Sequence, residues 1–178
     1  FVLPGTYTVR LTVDGQVHEK PVTVGVDPLV RATPEGLSAQ FEMARDLTQL
    51  GSDINRTLRT LDVVQAQIQE RRKLMKQLGR TADADLGAKL KAAEAALKER
   101  LETLARPEGK PFYATGPRVS DRISGLFGDV DSAFAAPTAP QQELFRELRE
   151  EAKQAMTRAD EFLRGGLASL NEALAKAE

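Results

Sequence analysis

The sequence predicts a mainly α protein: a long antiparallel three-helix bundle with a broken middle helix, preceded by a β-hairpin. Three observations carry this expectation. Apolar residues recur at steps of three and four over most of residues 34–178, the period of helices that bury one face. Residues 5–24 instead alternate apolar and polar side chains about an Asp-Gly pair, the period of half-buried strands joined by a tight turn. Proline and glycine then cut the helical part into lengths that match one another, since Pro stops a helix by removing a donor and clashing with the preceding turn.

The chain has 178 residues, enough for one ordinary domain or for one domain plus a remnant of another. With 41% hydrophobic and 29% charged residues it can bury a folded core. The 25 Lys and Arg are balanced by 26 Asp and Glu, which argues against a dedicated nucleic-acid binder and its excess of cations. No apolar run approaches the roughly 18–20 residues that span a bilayer. There is no cysteine, no tryptophan and one histidine, His18. Disulfides, thiolate chemistry and His-rich metal sites fall away with them.

In the first element, Tyr7, Val9, Leu11 and Val13 alternate with Thr6, Thr8, Arg10 and Thr12. Asp14-Gly15 suits a type I′ turn, which needs positive φ at both central residues. Folding there sets Val13 opposite Gln16, Leu11 opposite His18 and Tyr7 opposite Val22. Val22 and Val24 then share a buried face with Tyr7 and Leu11. A lone hairpin is marginal in water, so residues 1–26 are expected either to pack on the helices or to be the last hairpin of an immunoglobulin-like sandwich. The second reading is preferred: the chain opens Phe1-Val2-Leu3-Pro4-Gly5 with neither Met nor signal segment. It makes the chain a processed or trimmed C-terminal piece of something longer, with the earlier strands outside it.

Residues 27–33 read as a linker, and the bundle as 34–178. Thr33-Pro34-Glu35 supplies an N-cap, a proline at the first helical position and an early acid. The stripe Leu37, Phe41, Ala44, Leu47, Leu50, Ile54, Leu58, Leu61, Val64, Ile68, Met75 and Leu78 predicts one helix of about 45 residues, roughly 67 Å long. Gly51-Ser52 is a candidate bend and Gly79 a C-cap. Leu86 to Leu104 predicts a second helix of about 22 residues, stopped by Pro107. Residues 106–118, with Pro107, Gly109, Pro111, Gly116 and Pro117, read as a loop. Val119, Ile123, Leu126, Phe127, Val130 and Phe134 predict a third, shorter helix. Thr138 is a candidate cap for the last one, whose stripe runs from Leu144 to Leu174 with an interruption at Gly165-Gly166. The second and third helices together match the length of the first and of the last, hence the broken middle helix. A four-helix layout, with the short helix across one end, is the alternative.

Candidate chemistry is sparse. His18 has only Glu19 nearby, which points to the opposite face of the strand, so a hairpin-tip residue packing on Leu11 accounts for it. Asp83 with Asp85, and Asp129 with Asp131, are two apart and diverge on a helix. Neither pair has calcium-loop spacing behind it, and Asp83 reads as a helix cap. Arg71-Arg72-Lys73 with Lys76 and Arg80 offers a cationic face to an acidic partner, or complements a helix C-terminus. The loop Lys110-Pro111-Phe112-Tyr113, ending in Arg118, is the candidate partner-binding segment. Lys110, Phe112, Tyr113 and Arg118 form an aromatic and cationic knob of the type found at interface hot spots. The other reading makes Phe112 and Tyr113 a plug across the helix break. No phosphate-cradling loop, nucleophile elbow or metalloprotease motif occurs. The expectation is a chain without catalysis, metal, cofactor or small-molecule substrate.

The run Pro4-Gly5-Thr6-Tyr7-Thr8-Val9-Arg10-Leu11-Thr12-Val13-Asp14-Gly15, followed by Pro21-Val22-Thr23-Val24 and Val26-Asp27-Pro28, resembles the last hairpin and exit linker of a C-terminal region in exported bacterial proteins. Those proteins carry sialidase-like or sortilin-type β-propellers and are often labelled glycosyl hydrolases. Leu37 to Phe41, Ala136-Pro137-Thr138 and Leu167-Ala168-Ser169-Leu170-Asn171-Glu172-Ala173-Leu174 are similar as well. The propeller is absent, so no catalytic residue carries over. The resemblance implies a periplasmic or extracellular location and an accessory role. The resulting expectation is a non-catalytic interaction or scaffold module. It would dock on a larger protein assembly, with any membrane association made through the partner. The alternative is a C-terminal stabilising domain of an exported propeller hydrolase-like protein.

Overall fold

The computed structural model describes residues 2–77, 84–107 and 109–177, apart from the side chains of Ala84, Phe112 and Ala177. Two antiparallel strands, β1 (Gly5–Val13) and β2 (Gln16–Val24), are followed by a mainly α body. The hairpin register is the predicted one: Val13 pairs with Gln16, Leu11 with His18 and Tyr7 with Val22. Asp14 at φ 48° and Gly15 at φ 79° form the type I′ turn, whose twist matches that of the strands. The expected burial does not follow. Tyr7, Leu11 and Val22 are 38%, 59% and 44% exposed, because among the described residues no second layer covers the sheet and no hairpin residue enters the buried core.

Helix α1 (Pro34–Gln77) runs for 44 residues without a break. Thr33 caps it, its Oγ1 accepting the Gly36 amide at 3.0 Å. The helix continues through Gly51-Ser52, where Ser52 Oγ donates back to the Thr48 carbonyl at 2.8 Å, so the candidate bend is no interruption. Gly79, Arg80 and Asp83 lie outside the described residues. Helix α2 (Ala84–Leu104) returns along the C-terminal half of α1, tied by Arg72 to Glu94 at 2.7 Å. A single turn, α3 (Phe112–Thr115), occupies the predicted loop, where Pro111 starts it and the Ala114 amide donates to the Pro111 carbonyl. Helix α4 (Val119–Asp131) then covers the N-terminal half of α1. It ends three residues short of Phe134, which has φ 45° and is half exposed; that residue does not extend the helical stripe.

Helix α5 (Ala139–Glu161) starts on Thr138. The Gln141 amide donates to Thr138 Oγ1 at 3.4 Å, and Gln141 Oε1 accepts the Thr138 amide at 2.9 Å, a reciprocal cap that satisfies two otherwise orphaned donors. Thr138→Ala is expected to cost about 1 kcal/mol, checked by denaturant melting followed by circular dichroism.

Arg122 of α4 bonds Glu151 of α5, and Arg100 of α2 donates from Nε to the Arg158 carbonyl at 3.3 Å. These ties order the body. One helix goes out, α2 and α4 come back end to end, and α5 goes out again, which is the three-helix layout rather than the four-helix one. Its core is the predicted stripes: Ile54, Leu61, Leu97, Leu104 and Leu148 are fully buried. Ala152, Ala155 and Ala159 give α5 a small-residue ridge inside that core, which lets neighbouring helices approach closely.

At Gly165-Gly166 the last helix is not merely kinked. Residues Phe162–Gly166 form a π-helical turn before α6 (Ala168–Ala177). Phe162 is buried, with the Arg100 guanidinium 4.6 Å from its ring centre. A Cβ on Gly166 would come within 2.6 Å of Phe162 Cδ2, whereas one on Gly165 meets nothing within 4 Å. The expected results are opposite in sign. Gly166→Ala destabilises by about 1–3 kcal/mol through overpacking. Gly165→Ala is neutral or stabilises by up to about 1 kcal/mol through helix propensity. Paired thermal melts check both.

Candidate interaction surfaces

The predicted partner-binding loop is held at its base and open at its tip. Asp121, in the first turn of α4, makes the base. Its Oδ1 accepts Arg106 Nη2 at 3.0 Å and its Oδ2 accepts the Arg118 amide at 3.0 Å, so one carboxylate joins the two ends of the segment. Arg118 is therefore a helix-capping residue and half-buried, its Nε without a hydrogen-bond partner. Tyr113 is 90% exposed, which overturns the plug reading for that ring. Lys110 is exposed. The Phe112 side chain lies outside what the structure describes. Sequence reading missed Asp121. Its signal is an acid three residues after a helix-starting Arg118, the spacing at which a side chain reaches back to an N-cap amide.

The basic run is dispersed by the helix. Arg72 pairs with Glu94, while Arg71 and Lys73 border an open groove of about 860 Å³ between the end of α1 and α6. Val64, Ile68, Leu170 and Leu174 floor that groove. It opens because α6, past the π-helical turn, stays against α2 and leaves the flank of α1. A smaller groove of about 340 Å³ lies between α1 and α4, beside Phe41 and Phe127.

The hairpin is the third surface. Its two faces differ: Tyr7, Val9, Leu11, Val13 and Val22 lie on one, and Thr6, Thr8, Arg10, Thr12 and Glu19 on the other. His18 is opposite Leu11, and Glu19 bonds Arg10 on the far face. Asp85 accepts a hydrogen bond from Lys89 Nζ at 2.6 Å, and Asp83 lies outside the described residues. Among the described residues no group of three His, Asp or Glu could hold a metal. Among them also, no helix is long and apolar enough to cross a membrane.

No family model, curated protein or solved structure matches the chain.

Proposed function

We propose that the chain is a non-catalytic interaction or scaffold module acting in the periplasm or outside the cell, an accessory piece that docks on a larger protein assembly. The observation that carries this reading is the division of its apolar residues. The bundle satisfies its stripes internally, yet the hairpin keeps Val9, Leu11, Val13 and Val22 about half exposed on one face of a two-stranded sheet. An apolar sheet face of this kind is stabilised by burial against another protein surface. The exposed Tyr113, on a loop anchored by Asp121, supplies a second contact of the type enriched in interfaces. The resemblance of the hairpin and exit linker to regions of exported propeller proteins supports the location. The same resemblance supports the second reading, a stabilising tail of a propeller hydrolase-like parent.

Crosslinking and co-purification from native extract test the docking reading, which expects one stoichiometric protein partner. A monodisperse monomer that captures nothing at any salt concentration would overturn it. Assay of a parent protein with and without residues 1–178 separates the second reading, which expects hydrolysis to fall without any partner being lost.

A further inference from the structure

The two long edges of the hairpin are not equivalent. In a hairpin closed by a two-residue type I′ turn, the residues flanking the turn exchange hydrogen bonds, and bonded and non-bonded pairs then alternate. Val13 and Gln16 flank the turn here. The bonded pairs are therefore Val13–Gln16, Leu11–His18, Val9–Lys20 and Tyr7–Val22. The backbone groups of Thr6, Thr8, Arg10 and Thr12 point away from β2, and those of Val17, Glu19, Pro21 and Thr23 point away from β1. Pro21 has no N–H to offer, so it interrupts the outer side of β2, as prolines on sheet edges do. Directly opposite, Thr8 keeps its outward donor. The outer side of β1 is an uninterrupted row of donors and acceptors, and no third strand pairs with it among the described residues.

The side chains specify what fits. On one face of β1 stand Tyr7, Val9, Leu11 and Val13, all at least 38% exposed. On the other stand three threonines and Arg10, whose side chain is 68% exposed although it bonds Glu19. We infer that β1 is a strand-addition edge and that its occupant is an extended strand of a partner's β-sheet. That strand carries apolar residues on the Tyr7–Leu11 face and a carboxylate opposite Arg10, and a second layer of the same partner covers the apolar face. One partner thereby accounts for the open edge, the blocked edge and the uncovered face. The assignment rests on reading the chain as a docking module and names the chemistry of its partner.

Amide exchange measured by NMR on the full chain tests it. The probe is a strand of the same length as β1, alternating Val and Thr with a Glu placed opposite Arg10. It is joined ahead of residue 1 by a flexible Gly-Ser linker, so that its effective concentration is on the order of millimolar. The amides of Thr6, Thr8, Arg10 and Thr12 are expected to exchange at least about tenfold more slowly, while those of Tyr7, Val9 and Leu11, already bonded to β2, stay unchanged. Thr8→Pro removes one outward donor and no hairpin bond, and should erase the protection. If that variant opens the hairpin, seen as fast exchange at Tyr7 and Leu11, replacing the probe's Glu by Lys gives the same test without touching the fold. It should reduce the protection several-fold.

Three results would overturn the inference: unprotected outward amides in an intact hairpin, protection at Val17 and Glu19 instead, or concentration-dependent protection without the probe. The last would give the edge to a second copy of the chain. The docking reading fails separately. A crosslinked partner retained by the Thr8→Pro chain would leave that reading standing while β1 loses its role.

Discussion

Replacing Leu97 by Ala is expected to destabilise the bundle by about 3–4 kcal/mol. Leu97 is fully buried midway along α2, where that helix meets both α1 and α5. Truncation removes the transfer free energy of the lost methyl and methylene groups and adds the cost of the void they leave. A helix tied on either side of the truncated residue, as α2 is by Arg72–Glu94 and by Arg100 to Arg158, collapses poorly into such a void, which places the cost in the upper half of the usual range. Against a total stability of about 5–15 kcal/mol, the variant should melt roughly 10 °C lower. Val63→Ala is the control: Val63 is 57% exposed on α1 and its truncation should stay within about 0.5 kcal/mol. Equal losses at the two positions would refute the assignment of the core.

Gln40→Glu is expected to be nearly as costly, about 2–4 kcal/mol at neutral pH, from a change of one atom. Gln40 is a buried polar residue, wholly inaccessible. Its Nε2 donates to the Val130 carbonyl at 2.7 Å and to the Asp131 carbonyl at 3.1 Å, so it satisfies the last carbonyls of α4 from the first turns of α1. Its Oε1 has no hydrogen-bond partner. A glutamate there loses both donated bonds and brings a buried negative charge to the negative end of a helix dipole. The carboxyl of such a variant is held above the usual carboxylate range, because burial and the facing carbonyls both disfavour the ion. Its ionisation in the unfolded chain opposes folding, so the deficit should be largest at neutral pH, shrink as pH falls toward the usual carboxylate range, and lose its charge-dependent part below it. Gln40→Met separates the two causes: it removes the donors without adding charge, and its deficit should not vary with pH. Denaturant titrations at pH 7 and pH 4.5 give the comparison, and a pH-independent loss in Gln40→Glu would contradict the account.

Much of this was legible in the residues because local chemistry agreed with the global fold. Asp14-Gly15 set the turn, and with it the register of every hairpin pair, since a two-residue loop leaves no slack. Thr33 and Thr138 marked helix starts by a cap whose partners lie within three residues. The long stripe through Leu47, Ile54 and Leu61 needed only the helical period. Burial at the hairpin was misjudged for a physical reason: alternation says which side chains share a face, not whether anything covers that face. Phe134 continues the spacing of the α4 stripe, but spacing does not report that the backbone has turned to positive φ.

The candidate surfaces depended on distant partners. Arg118 and Tyr113 lie five residues apart and looked alike as interface residues, yet Asp121 takes the backbone of one into a helix cap while the other stays in solvent. Glycines at 165 and 166 read as equal breaks, but the ring of Phe162 fills the space over only one of them. By itself, then, the sequence determined where the two strands and the long helices begin, which side chains share a face, and that the middle helix is broken. Those are properties of neighbours a few residues apart. The tertiary structure alone decided which faces are covered, that Gln40 reaches the far end of α4 across ninety residues of chain, and that no third strand among the described residues pairs with the outer side of β1. Burial and hydrogen-bond closure depend on groups brought together from remote positions, and no local pattern encodes their meeting.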